Sequence, residues 1–215
     1  MNYFLTFLRM ENNKKSHWEN VFTTKNPSEV SWFQEVPTTS LAFIRSLNLP
    51  KTAHIIDVGG GDSYLVDYLL KDGFEHITVL DISEKALEKA KERLGKSADK
   101  IEWIVSDITE YQDDSKKYDV WHDRAAFHFL IENGQIETYL SIAKTNIRKE
   151  GFLSVGTFSE QGPNKCSGLE IKQYSEESMN DKFKENFEKI GCINENHETP
   201  FKTVQNFTFC TFQRK

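Results

Sequence analysis

Polar residues that could bind a ligand follow four short apolar segments of the sequence. Asp57 ends the first segment, Asp81 ends the second, Asp107 follows the third, and His122 and Arg124 follow the fourth. Because the carboxyl ends of parallel strands meet at one crevice, we expect these side chains to surround a single ligand. A carboxylate at the end of the second strand suits hydrogen bonding to both hydroxyls of a ribose.

Three consecutive glycines, Gly59, Gly60 and Gly61, follow the first segment. Glycines permit positive φ and carry no Cβ, so the backbone there could touch a bulky ligand, although a purely structural turn is the alternative. The dinucleotide fingerprint G-x-G-x-x-G does not fit, because position 64 is tyrosine and Asp62 would repel a pyrophosphate. Asp57 and Asp62 instead suit a ligand with an amine and no phosphate.

Strands and helices alternate along most of the chain. This order predicts a parallel sheet with right-handed crossovers and helices on both faces. The predicted helices are residues 37–47, 64–70, 84–94, 135–148 and 175–190; the predicted strands are 55–57, 77–81, 101–105, 118–122 and 152–158. Residues 192–198 and 203–212 follow without another helix and predict a terminal hairpin. The expected fold is therefore α/β and Rossmann-like, with a seven-stranded, mostly parallel sheet and a C-terminal antiparallel hairpin.

Composition narrows the classes of partner. The formal net charge of −6 argues against a nucleic-acid scaffold, but it leaves a basic peptide or a small molecule open. Three cysteines without a close pair favour a reducing cytosol over a disulfide framework, so we expect a cytoplasmic protein. No metal site is expected, because His122 and His128 lack nearby thiols. The oligomeric state stays open.

The first 34 residues predict an arm that precedes the main domain of residues 35–215. Residues 1–10 are apolar but too short to span a bilayer and lack the marks of a secretory signal, so we expect an extra helical turn or a frayed tail. Ser16 could cap a short helix that carries Trp18 and Phe22 on one face, and Trp32 follows in a polar loop. These rings either pin the arm to the domain or form a lid over the ligand.

The glycine turn resembles motif I of the class I S-adenosylmethionine (SAM) methyltransferases, with Ser63 in place of the last glycine. The terminal hairpin is also the typical ending of that fold. The resemblance implies that the three glycines approach the methionine part of SAM and that Asp81 binds the ribose. It further implies that Asp107 binds the adenine amine, with Ile82 and Ile108 on the two faces of the ring. For Asp107 alone, a helix cap is the structural alternative.

A closer resemblance is to the elongation factor 1A lysine methyltransferase group and its bacterial relatives. It rests on residues 17–22, 31–33, the glycine turn and residues 118–125. In that group the positions of Trp18, Phe22, Trp32 and Arg124 contribute to the cofactor site. The chain departs from the group's Glu-Lys-Gly-Thr at residues 123–126, and its loop at 162–168 looks more like the bacterial relatives. These departures leave the acceptor open.

Methyl transfer is a direct displacement that needs alignment and at most a base for the leaving proton. His122 and His128 are candidates for that base because imidazole titrates near neutrality, and we select His128 and Arg124 as candidate catalytic residues. For His128, a buried core histidine is the alternative. A small-molecule methyltransferase is the leading hypothesis, ahead of a protein lysine methyltransferase and an inactive SAM-binding module.

Overall fold

A seven-stranded sheet runs through the protein, which we describe from a computed structural model covering residues 14–113 and 118–215. Its strands are β1 (His54–Val58), β2 (His76–Asp81), β3 (Ile101–Val105), β4 (Tyr118–Arg124), β5 (Ile147–Phe158), β8 (Phe187–Glu198) and β9 (Val204–Arg214), and β6 (Lys165–Cys166) and β7 (Leu169–Glu170) form a separate small ladder. The helices are α1 (residues 14–24), α2 (Thr38–Ser46), α3 (Leu65–Lys71), α4 (Glu84–Leu94), α5 (Asn133–Asn146) and α6 (Glu176–Phe183).

The strand order in the sheet is β3-β2-β1-β4-β5-β9-β8. The five strands from β3 to β5 are parallel, whereas β9 runs antiparallel to both β5 and β8. Ile55, Ile56 and Val58 of the central strand are all buried, which is typical of a strand covered on both faces. The predicted parallel sheet and C-terminal hairpin are therefore confirmed.

Two large apolar clusters pack on opposite sides of the sheet. One contains Trp121, Tyr139 and Phe183, and it joins α5 and α6 to the sheet. The other contains Leu41 and Leu69 and joins α2 and α3 to the sheet. Helices thus cover both faces, as the alternation of elements predicts.

Several predicted element boundaries were wrong. The helix expected over residues 135–148 ends at Asn146, and the strand expected from residue 152 begins at Ile147. The helix expected over residues 175–190 ends at Phe183, because residues from Phe187 onwards pair with β9 along its whole length. The pairing of β8 with β9 shifts its register between Lys189 and Gly191 and then continues to Glu198. Ser16 does not cap the first helix, since residue 14 is already helical.

The cysteines also differ from expectation. Cys192 and Cys210 are direct partners on β8 and β9 and form a disulfide, although 18 residues separate them in sequence. The expectation of no disulfide was therefore wrong, and Cys166 is the cysteine left free and buried. No helix of the described ranges is both long and apolar enough to cross a membrane. The predicted turn or tail at residues 1–10 lies outside those ranges.

Candidate active site

A cavity of about 130 Å³ opens at the carboxyl ends of the parallel strands. It is lined by Lys14, Trp18, Phe22, Trp32, Val58, Gly59, Leu80, Asp81, Ile82, Ser106, Asp107, Ile108, Arg124, Ala125, Ala126, Phe129, Leu130 and Cys166. A second cavity of about 60 Å³ is lined by the glycine turn, Asp57, His122, Ser40 and other residues. It shares Phe22, Trp32, Gly59 and Arg124 with the first. All the residues predicted to bind the cofactor line one or both cavities.

The glycine turn is held tightly against β2 and the loop after β4. Gly59 and Gly60 both donate their amides to the carbonyl of Leu80, at 2.7 and 3.2 Å. A Cβ on Gly60 would lie 2.7 Å from a carboxylate oxygen of Asp57, and a Cβ on Gly59 would lie 2.5 Å from that of Ala126. Packing alone therefore requires glycine at both positions, and the bare backbone is also presented to the cavities.

Asp57 belongs to a buried polar chain. Its Oδ1 lies 2.7 Å from Nδ1 of His122, and the other ring nitrogen lies 2.8 Å from Oγ of Ser40. All three side chains are buried and line the second cavity. Because both ring nitrogens of His122 are engaged, this histidine orients Asp57 and Ser40 and is not free to remove a proton from an acceptor.

Asp81 is a buried carboxylate at the end of β2, with only 6% of its surface exposed. Its Oδ1 accepts a hydrogen bond of 2.8 Å from the amide of Ser83. Burial is the main cause that raises its pKa to about 7, and the nearby charges of Asp62 and Asp57 raise it further. Hydrogen bonds from neutral donors stabilise a carboxylate that burial has removed from water, and the two hydroxyls of a ribose are such donors.

Asp107 has the capping role that the sequence left as an alternative. Its Oδ1 accepts hydrogen bonds from the amide and the hydroxyl of Thr109, at 2.8 and 2.7 Å, at the start of the short 3₁₀ helix Ile108–Glu110. The residue nonetheless lines the first cavity, together with Ile82 and Ile108. Capping thus fixes the orientation of a side chain that is still presented to a ligand.

The arm is anchored to α4 by Glu19, a residue that the sequence analysis missed. The Glu19 carboxylate accepts hydrogen bonds from the amides of Glu84 and Lys85, at 2.7 and 3.0 Å, and from the hydroxyl of Ser83. An acid at the N-terminus of a helix is favourable because it satisfies free amides and opposes the positive end of the dipole. No local pattern marks this residue, since its partners lie about 65 positions further along the chain.

Aromatic rings of the arm form one wall of the first cavity. Trp18 meets Trp32 edge-on at 5.6 Å between ring centroids and meets Phe129 at 5.1 Å. Phe22 packs beside both tryptophans and is buried. These rings line the first cavity and also pack the arm against Phe129 of the main domain.

Arg124 lies between the two cavities at the end of β4. Its Nη1 donates to the carbonyl of Trp32 at 3.0 Å, and its guanidinium lies 5.0 Å from the ring centroid of Phe207. Its Nε and Nη2 are buried without a hydrogen-bond partner in the described part of the chain. Burial lowers its pKa to about 10, so the group still carries its charge at neutral pH.

His128, selected as a candidate catalytic residue, is completely buried and lines neither cavity. Its ring packs against Phe129 and Phe158, and its Nδ1 accepts a long hydrogen bond of 3.4 Å from the amide of Phe158. Burial, aided by the charge of Arg124, lowers its pKa to about 3. The geometry therefore favours the alternative of a buried core histidine over a general base.

The loop after β4 is shaped by Asp123, a strand-end residue expected to face the ligand that is instead fully buried and lines neither cavity. Its Oδ1 accepts hydrogen bonds from the amides of Ala126 and Phe127, and its Oδ2 accepts one of 2.9 Å from the hydroxyl of Tyr139. The indole of Trp121 donates to the same hydroxyl. Ala125 has a φ of 69°, a strained conformation that this buried network holds in place. The network thereby positions the part of the cavity wall nearest to Arg124.

Comparisons with known proteins agree with this arrangement. Residues 55–151 match the family model described as "Methyltransferase domain". A ribosomal RNA small subunit methyltransferase H from Cyanothece sp. is 30% identical over 97 residues, 43% of this chain and 32% of that protein. A malonyl-[acyl-carrier protein] O-methyltransferase from Anoxybacillus flavithermus is 33% identical over 119 residues, 54% and 42% of the two chains. The chain thus spans less than half the length of these curated relatives.

Solved structures match over almost the whole chain. A SAM-dependent methyltransferase from Anabaena variabilis superposes with a TM-score of 0.76 and 14% identity, covering 96% of this chain and 95% of that one. The 1,6-didemethyltoxoflavin-N1-methyltransferase from Burkholderia thailandensis gives a TM-score of 0.68 and 16% identity, covering 100% and 90%. The protein therefore has the fold of the class I SAM-dependent methyltransferases, with a match to the methyltransferase domain over residues 55–151.

Proposed function

We propose that this protein is a SAM-dependent methyltransferase whose acceptor is a small molecule. The observation that carries the proposal is the buried Asp81 beside a glycine turn, in a cavity whose other walls are mainly apolar. The two cavities together fit SAM: the first offers Asp81 and Asp107 with Ile82 and Ile108 for a nucleoside, and the second offers Asp57 for an ammonium group.

Each of these residues has a defined part in binding. Asp81 accepts hydrogen bonds from the ribose hydroxyls, and Asp107 accepts one from the adenine amine. Ile82 and Ile108 contact the two faces of the adenine ring. Asp57, held by His122, faces the amine of the methionine part, and the backbone of the glycine turn approaches it. When bound, SAM supplies a methyl group on a cationic sulfur; the acceptor's lone pair forms the new bond to carbon, and the electrons of the broken bond remain on sulfur.

Catalysis by the chain itself then consists of alignment and exclusion of water. The rings of Trp18, Trp32 and Phe129 enclose the space next to the strand ends and restrict the directions from which an acceptor can approach. No histidine of the described residues lines the first cavity, so we assign no general base there. We propose that residues 14–34, the described part of the arm, act as a lid in addition to anchoring the arm to the domain.

A small acceptor accounts for the enclosure better than a protein lysine does. The elongation factor 1A lysine methyltransferase group, which the sequence resembles, would require the cavity to admit a lysine side chain from a bulky partner. Here the rings of the arm cover the strand ends, and Glu19 fastens that arm to α4. The fold accommodates a small acceptor in the Burkholderia thailandensis structure, which holds 1,6-didemethyltoxoflavin and S-adenosylhomocysteine.

Calorimetry with purified full-length protein tests the cofactor assignment. We expect SAM and S-adenosylhomocysteine to bind with similar affinity, because the proposed contacts involve the nucleoside and amino-acid parts and not the methyl group. Adding NAD should produce no binding heat, since Asp62 and Tyr64 do not suit a pyrophosphate. Binding of NAD without binding of SAM would reject the proposed function.

A further inference from the structure

The charged residues of the first cavity are divided between its two sides. Among the described residues that line it, the acids are Asp81 and Asp107, which lie at the ends of β2 and β3. The cations are Arg124, at the end of β4, and Lys14, whose ammonium group donates to the carbonyl of Phe129. Because β1 separates β4 from β2 and β3 in the sheet, the positive side lies away from the residues assigned to the nucleoside.

Arg124 is partly buried, and two donors of its guanidinium are unused. Its Nε and Nη2 are buried and have no hydrogen-bond partner in the described part of the chain. Glu195 and Asp57 are both close enough to favour its charge, but neither forms a hydrogen bond with it; Asp57 lines the second cavity and Glu195 lines neither. Charges shielded from water are normally paired, so an anion from outside the chain would be a favourable partner for this guanidinium.

The surroundings of Arg124 define the rest of that ligand. Trp18, Trp32 and Phe129 present aromatic rings, and the buried Cys166 adds a small apolar surface. Flat apolar groups pack well against such rings in offset or edge-on contacts. An amine or a lysine side chain would meet the two cations that line this side of the cavity, Lys14 and Arg124.

We propose that the acceptor is a small anion with a flat apolar body, and that the guanidinium of Arg124, which lines the cavity, binds its negative group. This inference rests on the proposed function and names the class of its acceptor. The carboxylate of the cofactor's methionine part is a second source of the same chemistry, because Arg124 also lines the second cavity. The experiment must therefore separate these two sources.

Calorimetry with sodium benzoate and benzamide provides a matched pair of probes that differ in charge. The full-length protein is first saturated with S-adenosylhomocysteine, and each probe is then titrated into it. We expect benzoate to bind at least about tenfold more tightly than benzamide, since hydrogen bonds to charged groups contribute at least that much. Arg124→Met should remove the preference and Arg124→Lys should retain part of it, with melting curves confirming that both variants fold.

The outcomes distinguish the proposal from its alternatives. Arg124→Met should leave the affinity for S-adenosylhomocysteine within about threefold of wild type. A loss of tenfold or more would assign the guanidinium to the cofactor carboxylate and overturn the proposal. Equal binding of the two probes, or no binding of benzoate at millimolar concentration, would also overturn it. Failure of the wild-type protein to bind S-adenosylhomocysteine would instead reject the proposed function itself.

Discussion

Replacing Asp81 with asparagine should stabilise the free protein while weakening its cofactor site. In the folded protein the pKa of Asp81 is raised from 3.8 to about 7, chiefly by burial. The folded state therefore holds this proton more tightly than the unfolded state does. The stabilisation from the protonated carboxyl is complete below pH 3.8 and is lost as the pH rises through about 7. Asparagine has a similar shape, can still accept from the amide of Ser83, and carries no charge.

The size of the effect follows from the width of that pH range. Stability changes by about 1.4 kcal/mol per pH unit while one proton separates the folded and unfolded states. Between pH 5 and pH 8, the free energy of unfolding of Asp81→Asn should therefore rise relative to wild type by about 3 kcal/mol. Urea unfolding at both pH values measures this difference, and Asp99→Asn on the exposed surface is the control.

The same substitution tests the role of Asp81 in binding. Asparagine offers a weaker acceptor to the ribose hydroxyls, so the affinity for SAM should fall by about 1.5–3 kcal/mol, the range for hydrogen bonds to charged groups. In the wild-type protein, the affinity should fall by about tenfold from pH 8 to pH 6, because protonation competes with binding. A stability difference that does not change with pH, or an unchanged SAM affinity, would refute the reasoning.

Three further substitutions test other parts of the structure. Gly60→Ala should lower both the melting temperature and the SAM affinity, because its Cβ would lie within 3 Å of Asp57 and Val79. The control Gly134→Ala has open space around the new Cβ and should lower neither. Equal effects of the two substitutions would reject the packing argument. Trp32→Ala should reduce turnover more than stability if the arm is a lid, and a lower melting temperature with normal activity per folded molecule would favour simple anchoring. Cys210→Ser should lower the free energy of unfolding by about 3 kcal/mol under non-reducing conditions, because the disulfide closes a loop of 18 positions. An unfolding free energy equal to that of the wild type would show that the disulfide does not form.

The sequence predicted those features that depend on neighbouring residues. Asp57, the glycines and Asp81 lie at strand ends, so the alternation of strands and helices was enough to bring them to one edge of the sheet. The terminal hairpin was predicted because its strands are consecutive. The beginning of β8, residues 187–190, was predicted as helix, because these residues are extended only through their pairing with β9.

Features that depend on distant partners could not be predicted. Glu19 caps a helix that begins 65 residues later, and Asp123 is paired with Tyr139 across two elements. The disulfide depends on the register of β8 against β9, which spacing in the sequence does not determine. His128 was selected for its chemistry alone, whereas its burial between two phenylalanine rings decides its protonation.

The transfer of labelled methyl groups tests the central proposal most directly. Purified protein is incubated with a cell extract and SAM labelled at the methyl carbon, and the products are separated by size into protein-bound and small-molecule fractions. Asp81→Asn serves as the matched control with a weakened cofactor site. We predict enzyme-dependent label in a new small molecule, reduced in the variant at limiting SAM. Label found only on protein, or no transfer to any fraction, would contradict the proposed small-molecule methyltransferase.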